Sequence, residues 1–284
     1  MKLAAIINPM SRSVPEDAAD ALEAAVREAG HNLVQLGCSH EALVANVQAA
    51  ASGTADAVIA WGGDGTLACT LTACGPSGPP ALVLPGGTMN MLPHRLHGND
   101  ADWREILDRV LRAPVVGPIA AGTAGDHRFY VAALFGKLTA MAESREAVRK
   151  GDVLEAAQAV LTGDVLDCET RLRITSRHRM GEQMINAVAA AIGVSSEQAA
   201  ALEVAAIDPD STLEMLATAV DALIHGWRKA EPVERDVSHS LTIHDLSDSP
   251  IPATLDGEPV LFDTPVEIRI LDKAARVLRA EADH

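Results

Sequence analysis

Apolar and polar positions alternate between two periods along the first third of the chain. Leu3 to Ile7 is a short apolar run that stops at Asn8-Pro9, the pattern of a buried strand ending in a loop. From Pro15 to Ala29 the period becomes helical, with Ala18, Leu22, Ala25, Val26 and Ala29 on one face and Gly30 as the stop. Strands are predicted at Asn32 to Leu36, Ala57 to Trp61 and Ala81 to Leu84. Helices are predicted at Glu41 to Ala51, Leu67 to Ala73 and Trp103 to Leu111. Such alternation predicts a parallel sheet with helices on both faces. Ligands of such sheets bind beyond the carboxyl ends of the strands, so the loops after Ile7, Trp61 and Leu84 are expected to converge.

The pattern changes after about residue 115. Strands are predicted at Phe129 to Phe135, Thr170 to Thr175, Ala187 to Gly193, Leu202 to Ile207, Ser240 to His244 and Val266 to Leu271. Helices are predicted only at Ala140 to Leu161 and Thr212 to Trp227, the latter capped by Ser211. Strands that mostly lack intervening helices predict an antiparallel, β-rich second domain. Pro114, Gly117 and Pro118 put the boundary near Ala113-Pro114. The expected domains are 1–115, α/β, and 116–284, β-rich, with the last segment a candidate to rejoin the first.

Composition narrows the function classes. The 284 residues are 48% apolar but only 2% aromatic, so the cores are built from Ala, Val, Leu and Ile. A formal charge of −16 repels phosphate backbones and argues against a nucleic-acid partner. It also disfavours broad docking on anionic membranes. The one dense basic segment, Arg171, Arg173, Arg177, His178 and Arg179, reads as a solvated hairpin, with anionic headgroups as the alternative. Met180, Met184 and Trp227 read as core residues. The four cysteines, Cys38, Cys69, Cys74 and Cys168, form no paired motif and are expected to be buried, reduced thiols. The N-terminal apolar run is too short for a signal peptide, and no stretch is long enough for a transmembrane segment. A cytoplasmic protein is expected.

Chemistry concentrates in four motifs. Trp61-Gly62-Gly63-Asp64-Gly65-Thr66-Leu67 joins an apolar strand to a helix. Its glycines let phosphates approach backbone amides, and a helix N-terminus adds positive potential. Asp64 would repel phosphate unless it meets Mg²⁺, a hydroxyl or a donor, which argues for chemistry; the plainer reading makes it a helix cap. Leu84-Pro85-Gly86-Gly87-Thr88-Met89-Asn90 is a second glycine–threonine loop, and Asn8-Pro9-Met10-Ser11-Arg12 a third loop with phosphate-binding side chains. His94 and His97 follow the second loop and are candidates to reach phosphate. In Leu255-Asp256-Gly257-Glu258-Pro259-Val260, two carboxylates flank a glycine. This is either an Asp-Gly hairpin turn or a metal ligand beside a general base.

With these four motifs in this order, the chain resembles the diacylglycerol kinase catalytic-domain family over essentially its whole length. The family includes bacterial lipid kinases and the sphingosine and ceramide kinases. The resemblance implies a Rossmann-like three-layer α/β/α domain, then a β-rich, antiparallel sandwich-like domain, with the active site in the interdomain cleft. It implies an ATP- and Mg²⁺-dependent kinase acting on a lipid hydroxyl. The nucleotide would be lined by Asn8, Ser11, Gly62, Gly63, Gly65, Thr66 and Thr88, with Pro9, Arg12, Gly87 and Asn90 in the same loops. Asp64 would lie near Mg²⁺ and the transferred phosphate. Glu258 would be the base, also near the metal, and Asp256 its support; Asp64 is the other candidate base. The partner would be a lipid met by transient, peripheral association with a membrane, and a homodimer is compatible with the sequence. Two other readings stand beside this one, a non-catalytic nucleotide- or lipid-binding regulator and an NAD kinase-like enzyme. The sequence departs from the family at Met91, at Ser195 to Leu202, where some members hold a structural Mg²⁺, and at Phe135 to Ala140.

Overall fold

A computed structural model describes residues 1–98, 102–136, 172–178, 181–187, 189–195, 200–207 and 234–281. The chain divides into two compact units, Met1–Ala121 with Leu271–His284, and Gly122–Ile270.

The first unit opens β1 (Lys2–Ile7), α1 (Ala18–Glu28), β2 (Asn32–Cys38), α2 (Leu43–Ser52), β3 (Ala57–Gly62), α3 (Asp64–Cys74) and β4 (Ala81–Pro85). Two helices follow, α4 (Met91–His97) and α5 (Trp103–Arg112), and then β5 (Pro114–Ala124). The sheet order is β2-β1-β3-β4, all parallel, and the long last strand of the chain lies beside β4 with Val277 paired to Ala81. Period-2 alternation sorts the core into two layers. Leu3, Ala5, Ile7, Ile59, Trp61, Leu82 and Leu84 pack against α1 and α5 on one face. On the other, Ala4, Ile6 and Val58 pack with Val47 and Ala50 of α2 and Cys74 of α3. Burial on both faces explains why β3 reads as an unbroken apolar run.

The second unit continues with β6 (His127–Phe129), β7 (Ala132–Gly136), β8 (Leu172–His178), β9 (Gly181–Ala187), β10 (Ala189–Ser195), β11 (Ala201–Ile207) and β12 (Glu234–Ser238). It closes with β13 (Ser240–Asp245), β14 (Ile251–Leu255), β15 (Glu258–Phe262) and the first part of β16 (Val266–Ala280). One antiparallel sheet has the order β12-β11-β10-β7-β14-β15. In the other, β16, β13, β8 and β9 are successive antiparallel neighbours. The fold is therefore an α/β domain followed by a β-rich one.

Several sequence expectations are corrected. The strand expected from Phe129 to Phe135 breaks at Tyr130-Val131, and the one expected from Ala187 to Gly193 is shared between the end of β9 and β10. Strands β5 and β12 and helix α4 were not anticipated, and β14 and β15 only as the flanks of the Asp-Gly hairpin reading. Cys38 and Met184 are exposed rather than buried. Arg173 and Arg177 are exposed on the β8–β9 hairpin, as a solvated hairpin requires. The helices expected at Ala140 to Leu161 and Thr212 to Trp227 lie outside the described residues, as do Met180 and Cys168.

Candidate active site

Three loops of the first unit meet at the carboxyl ends of β1, β3 and β4. The backbone leaves β3 at Gly62, passes Gly63 in an extended conformation (φ −77°, ψ 171°) and enters α3 at Asp64. The β1 loop locks onto this turn. Ser11 Oγ accepts the Gly63 N–H at 3.0 Å, and Asn8 Nδ2 donates to Thr66 Oγ1 at 3.0 Å. The β4 loop docks from the other side, with Gly86 N–H donating to the Gly62 carbonyl at 3.0 Å. Its approach is too close for side chains: a Cβ on Gly87 would lie 2.8 Å from the Gly63 Cα, and one on Gly86 would lie 2.5 Å from Val14 Cγ2. Ser13 ties the first loop to the third, donating its N–H to the Gly86 carbonyl at 3.0 Å and its hydroxyl to the Gly87 carbonyl at 3.1 Å.

Asp64 has an unexpected partner. Its Oδ1 accepts the Leu92 N–H at 2.9 Å and its Oδ2 the Met91 N–H at 3.2 Å. It sits in the first turn of α3 yet caps the N-terminus of α4. Burial pushes its carboxyl pKa up, opposed by these two hydrogen bonds and the nearby His94 charge. Asn90, in the left-handed conformation (φ 48°), accepts the Gly87 N–H on Oδ1 at 2.8 Å and so shapes the same loop. Thr88 and Met89 project from the loop tip, exposed, as are Pro9 and Arg12 in the first loop. His97 departs from expectation: it lies at the far end of α4, bonded to the Val83 backbone rather than facing the phosphate loops.

In the second unit, Asp256 (φ 48°) and Gly257 (φ 94°) form the two-residue turn between β14 and β15. Positive φ at both positions is the type I′ geometry, so the hairpin reading describes the backbone. The Asp256 carboxylate takes three amides: Oδ2 accepts from Tyr130 at 2.6 Å, and Oδ1 from Val131 at 2.9 Å and Ala132 at 3.0 Å. Those amides lie where the expected strand breaks. Glu258 opens β15, exposed, and among the described residues its side chain makes no hydrogen bond or ion pair. Asp256 is thus bound into the fold, while Glu258 presents a free carboxylate beside it.

Sequence reading missed His40, whose Nδ1 lies 3.3 Å from Asn8 Oδ1. Its position just after a fourth strand carboxyl end was the available signal. It also missed how Trp61 steadies the β4 loop, donating Nε1–H to the Pro85 carbonyl at 3.0 Å while its ring meets Trp103 at a centroid distance of 4.4 Å. Among the described residues, no group of three or more His, Cys, Asp or Glu side chains is placed to hold a metal ion.

Glycine-rich turns feeding a helix N-terminus, gathered at the carboxyl edge of a parallel sheet, are an arrangement that phosphate-binding α/β domains use. The comparisons make the class specific. Residues 2–124 match the diacylglycerol kinase catalytic domain. The whole fold is similar to the crystal structure of a diacylglycerol kinase from Bacillus anthracis str. Sterne. That match has 18% identity and a TM-score of 0.67, over 98% of this chain and 96% of the other. A second structure from the same organism, a candidate diacylglycerol kinase, matches with 17% identity and a TM-score of 0.70 over the same shares.

Proposed function

We propose that the protein is an ATP-dependent lipid kinase that phosphorylates a hydroxyl of diacylglycerol, ceramide or a sphingoid base. The observation that carries this reading is the docking of three loops around Gly62 to Thr66, which gathers the Ser11 and Thr66 hydroxyls at the N-terminus of α3. Phosphoryl transfer depends mainly on positioning and charge neutralisation, which suits a chain with few lysines. When bound, Mg²⁺–ATP supplies the transferred group and most of the neutralising charge. The Ser11, Thr66 and Thr88 hydroxyls and the Gly65 amide would hold the phosphates, since the Gly63 and Gly87 amides already donate to Ser11 Oγ and Asn90 Oδ1. Each Asp64 oxygen keeps a lone pair for the metal or its water, while its amide bonds keep the β4 loop in place.

Glu258 is the better candidate base. Both oxygens of Asp64 already accept amide hydrogens, whereas Glu258 is exposed and free to take the hydroxyl proton. Asp256 acts through the turn that presents Glu258. The acceptor lipid is met at a membrane surface; among the described residues, no helix is long and apolar enough to cross a membrane.

The test is transfer of labelled phosphate from Mg²⁺–ATP to diacylglycerol, ceramide, a sphingoid base or NAD in mixed micelles, for wild type, Asp64→Asn and Glu258→Gln. One lipid is expected to be labelled, with Glu258→Gln slower by about 10²–10⁴-fold. Labelling of NAD alone would overturn the lipid-kinase reading. Tight ATP binding with no transfer to any acceptor would favour a regulator of the same fold.

A further inference from the structure

Three polar side chains form a line across the carboxyl ends of β2, β1 and β3, which are neighbours in the sheet. His40 follows β2, Asn8 follows β1, and Thr66 lies in the first turn of α3, just after β3. His40 Nδ1 lies 3.3 Å from Asn8 Oδ1, and Asn8 Nδ2 lies 3.0 Å from Thr66 Oγ1. The backbone around His40 is held in place. Its carbonyl accepts the Leu43 N–H at 3.2 Å, and Ser39 Oγ accepts the Ala42 N–H at 3.2 Å.

One backbone group fixes the direction of every hydrogen in this line. The Met10 N–H donates to Asn8 Oδ1 at 3.1 Å. A backbone N–H can only donate, so the Asn8 atom facing it is the oxygen and the atom facing Thr66 is the nitrogen. An amide oxygen can only accept, so His40 carries a proton on Nδ1 and donates it to Oδ1. The Asn8 nitrogen in turn donates to Thr66 Oγ1. Thr66 is 6% exposed, so water competes little for its hydroxyl, and among the described residues that hydroxyl donates to no protein atom. Its hydrogen is left for an acceptor outside the protein, such as a phosphate oxygen at the N-terminus of α3.

We propose that His40 is a positioning residue of the nucleotide site: as a second donor to Asn8 Oδ1, it holds the amide so that Thr66 offers its hydroxyl hydrogen to a phosphate. This role rests on the nucleotide site proposed above. With the Asn8 amide turned over, Oδ1 would face Thr66 and take that hydrogen itself. The turned amide would also set its N–H₂ against both the Met10 N–H and the His40 Nδ1–H, donor against donor. Without His40 only one of those two oppositions remains, and the wrong orientation becomes easier to reach. Successive donors pointing one way polarise each other, so the His40 bond also strengthens Thr66 as a donor two bonds along. His40 acts through Asn8 and makes no contact with the phosphate in this role.

The experiment titrates Mg²⁺–ATP into the full chain by calorimetry, for wild type, His40→Ala, His40→Gln and His40→Asn, and follows the Asn8 side-chain amide resonances of each by NMR. Asn returns a donor near the place of Nδ1, whereas Gln sets its donor one bond farther out and Ala has none. His40→Ala and His40→Gln are expected to bind ATP about three- to tenfold more weakly, and His40→Asn within about twofold of wild type. The Asn8 amide signals are expected to shift in His40→Ala and His40→Gln and to stay near their wild-type positions in His40→Asn. ATP affinity unchanged in His40→Ala, or reduced equally in all three variants, would overturn the role of His40 while the nucleotide site stands. Asn8 signals unmoved in His40→Ala would overturn it as well. A wild type that binds no ATP overturns the nucleotide site itself, and the role of His40 with it.

Discussion

The Leu92 N–H donates to Asp64 Oδ1 at 2.9 Å, so an aspartate in the first turn of one helix caps the next helix, 28 residues away in sequence. This bond, with its companion from Met91, ties the β4 loop to the glycine-rich turn after β3. The acidic residue of the motif is therefore built into the architecture of the loops.

Replacing Asp64 with Asn turns an amide N–H₂ toward the N–H of Met91 or Leu92, leaving two donors face to face. Asp64→Asn is expected to lower stability by about 1–3 kcal/mol and to raise the KM for ATP. Urea denaturation and nucleotide titration measure the two effects. A variant with unchanged stability and a loss confined to kcat would instead make Asp64 a purely chemical group.

Asp256 and Glu258 should separate stability from activity. Asp256→Ala leaves the Tyr130, Val131 and Ala132 amides without their acceptor. A loss of about 2–4 kcal/mol is expected in chemical denaturation. Glu258→Gln, at an exposed position without protein partners, should leave stability within about 0.5 kcal/mol of wild type.

Gly87 and Gly63 face each other and should differ in tolerance. A Gly87→Ala Cβ falls 2.8 Å from backbone, whereas a Gly63→Ala Cβ meets only ordinary contacts, at 3.7 Å and beyond. Gly87→Ala must push the loops apart and is expected to weaken nucleotide binding about tenfold, or about 1.4 kcal/mol. Gly63→Ala should retain a melting temperature close to wild type. Equal stability losses in the two variants would show that the loop approach is not tight.

His97 should make stability fall in mild acid. Burial, then the charges of Arg109 and Arg279, lowers its pKa to about 4 from 6.5. The unfolded chain therefore takes up this proton first as pH falls. The contribution is fully present above about pH 6.5 and is lost progressively down to about pH 4, by roughly 3 kcal/mol in all. Denaturation of wild type and His97→Asn at pH 7.5, 5.5 and 4.5 isolates it, because the difference between the proteins should shrink with acidity. A pH-independent difference would place His97 outside this linkage.

Much of the first unit was legible because its signals are local. Apolar runs of four or five residues marked β1, β3 and β4, and the 3.6-residue spacing of Leu22, Ala25, Val26 and Ala29 marked α1. The glycine loops could be found because their position after buried strands is written in consecutive residues. Helix α4 was hidden, since its seven residues include Pro93 and its cap is the distant Asp64. Strand β5 was hidden because Pro114, Gly117 and Pro118 signal a linker, yet in the fold they lie in a strand that pairs with β16.

The sequence by itself determined the alternation of β1 to β4 with α1, α2 and α3, the two-layer core of the first unit and the residues placed at the carboxyl ends of its strands, because these follow from periodicity and turn chemistry. Only the tertiary structure decided which polar groups meet. Asp256 finds its amides about 125 residues away, and Asp64 spends both oxygens on α4. Hydrogen bonding is short-ranged and directional, so the partners of a carboxylate depend on where the folded backbone brings its N–H groups, which spacing along the chain does not encode.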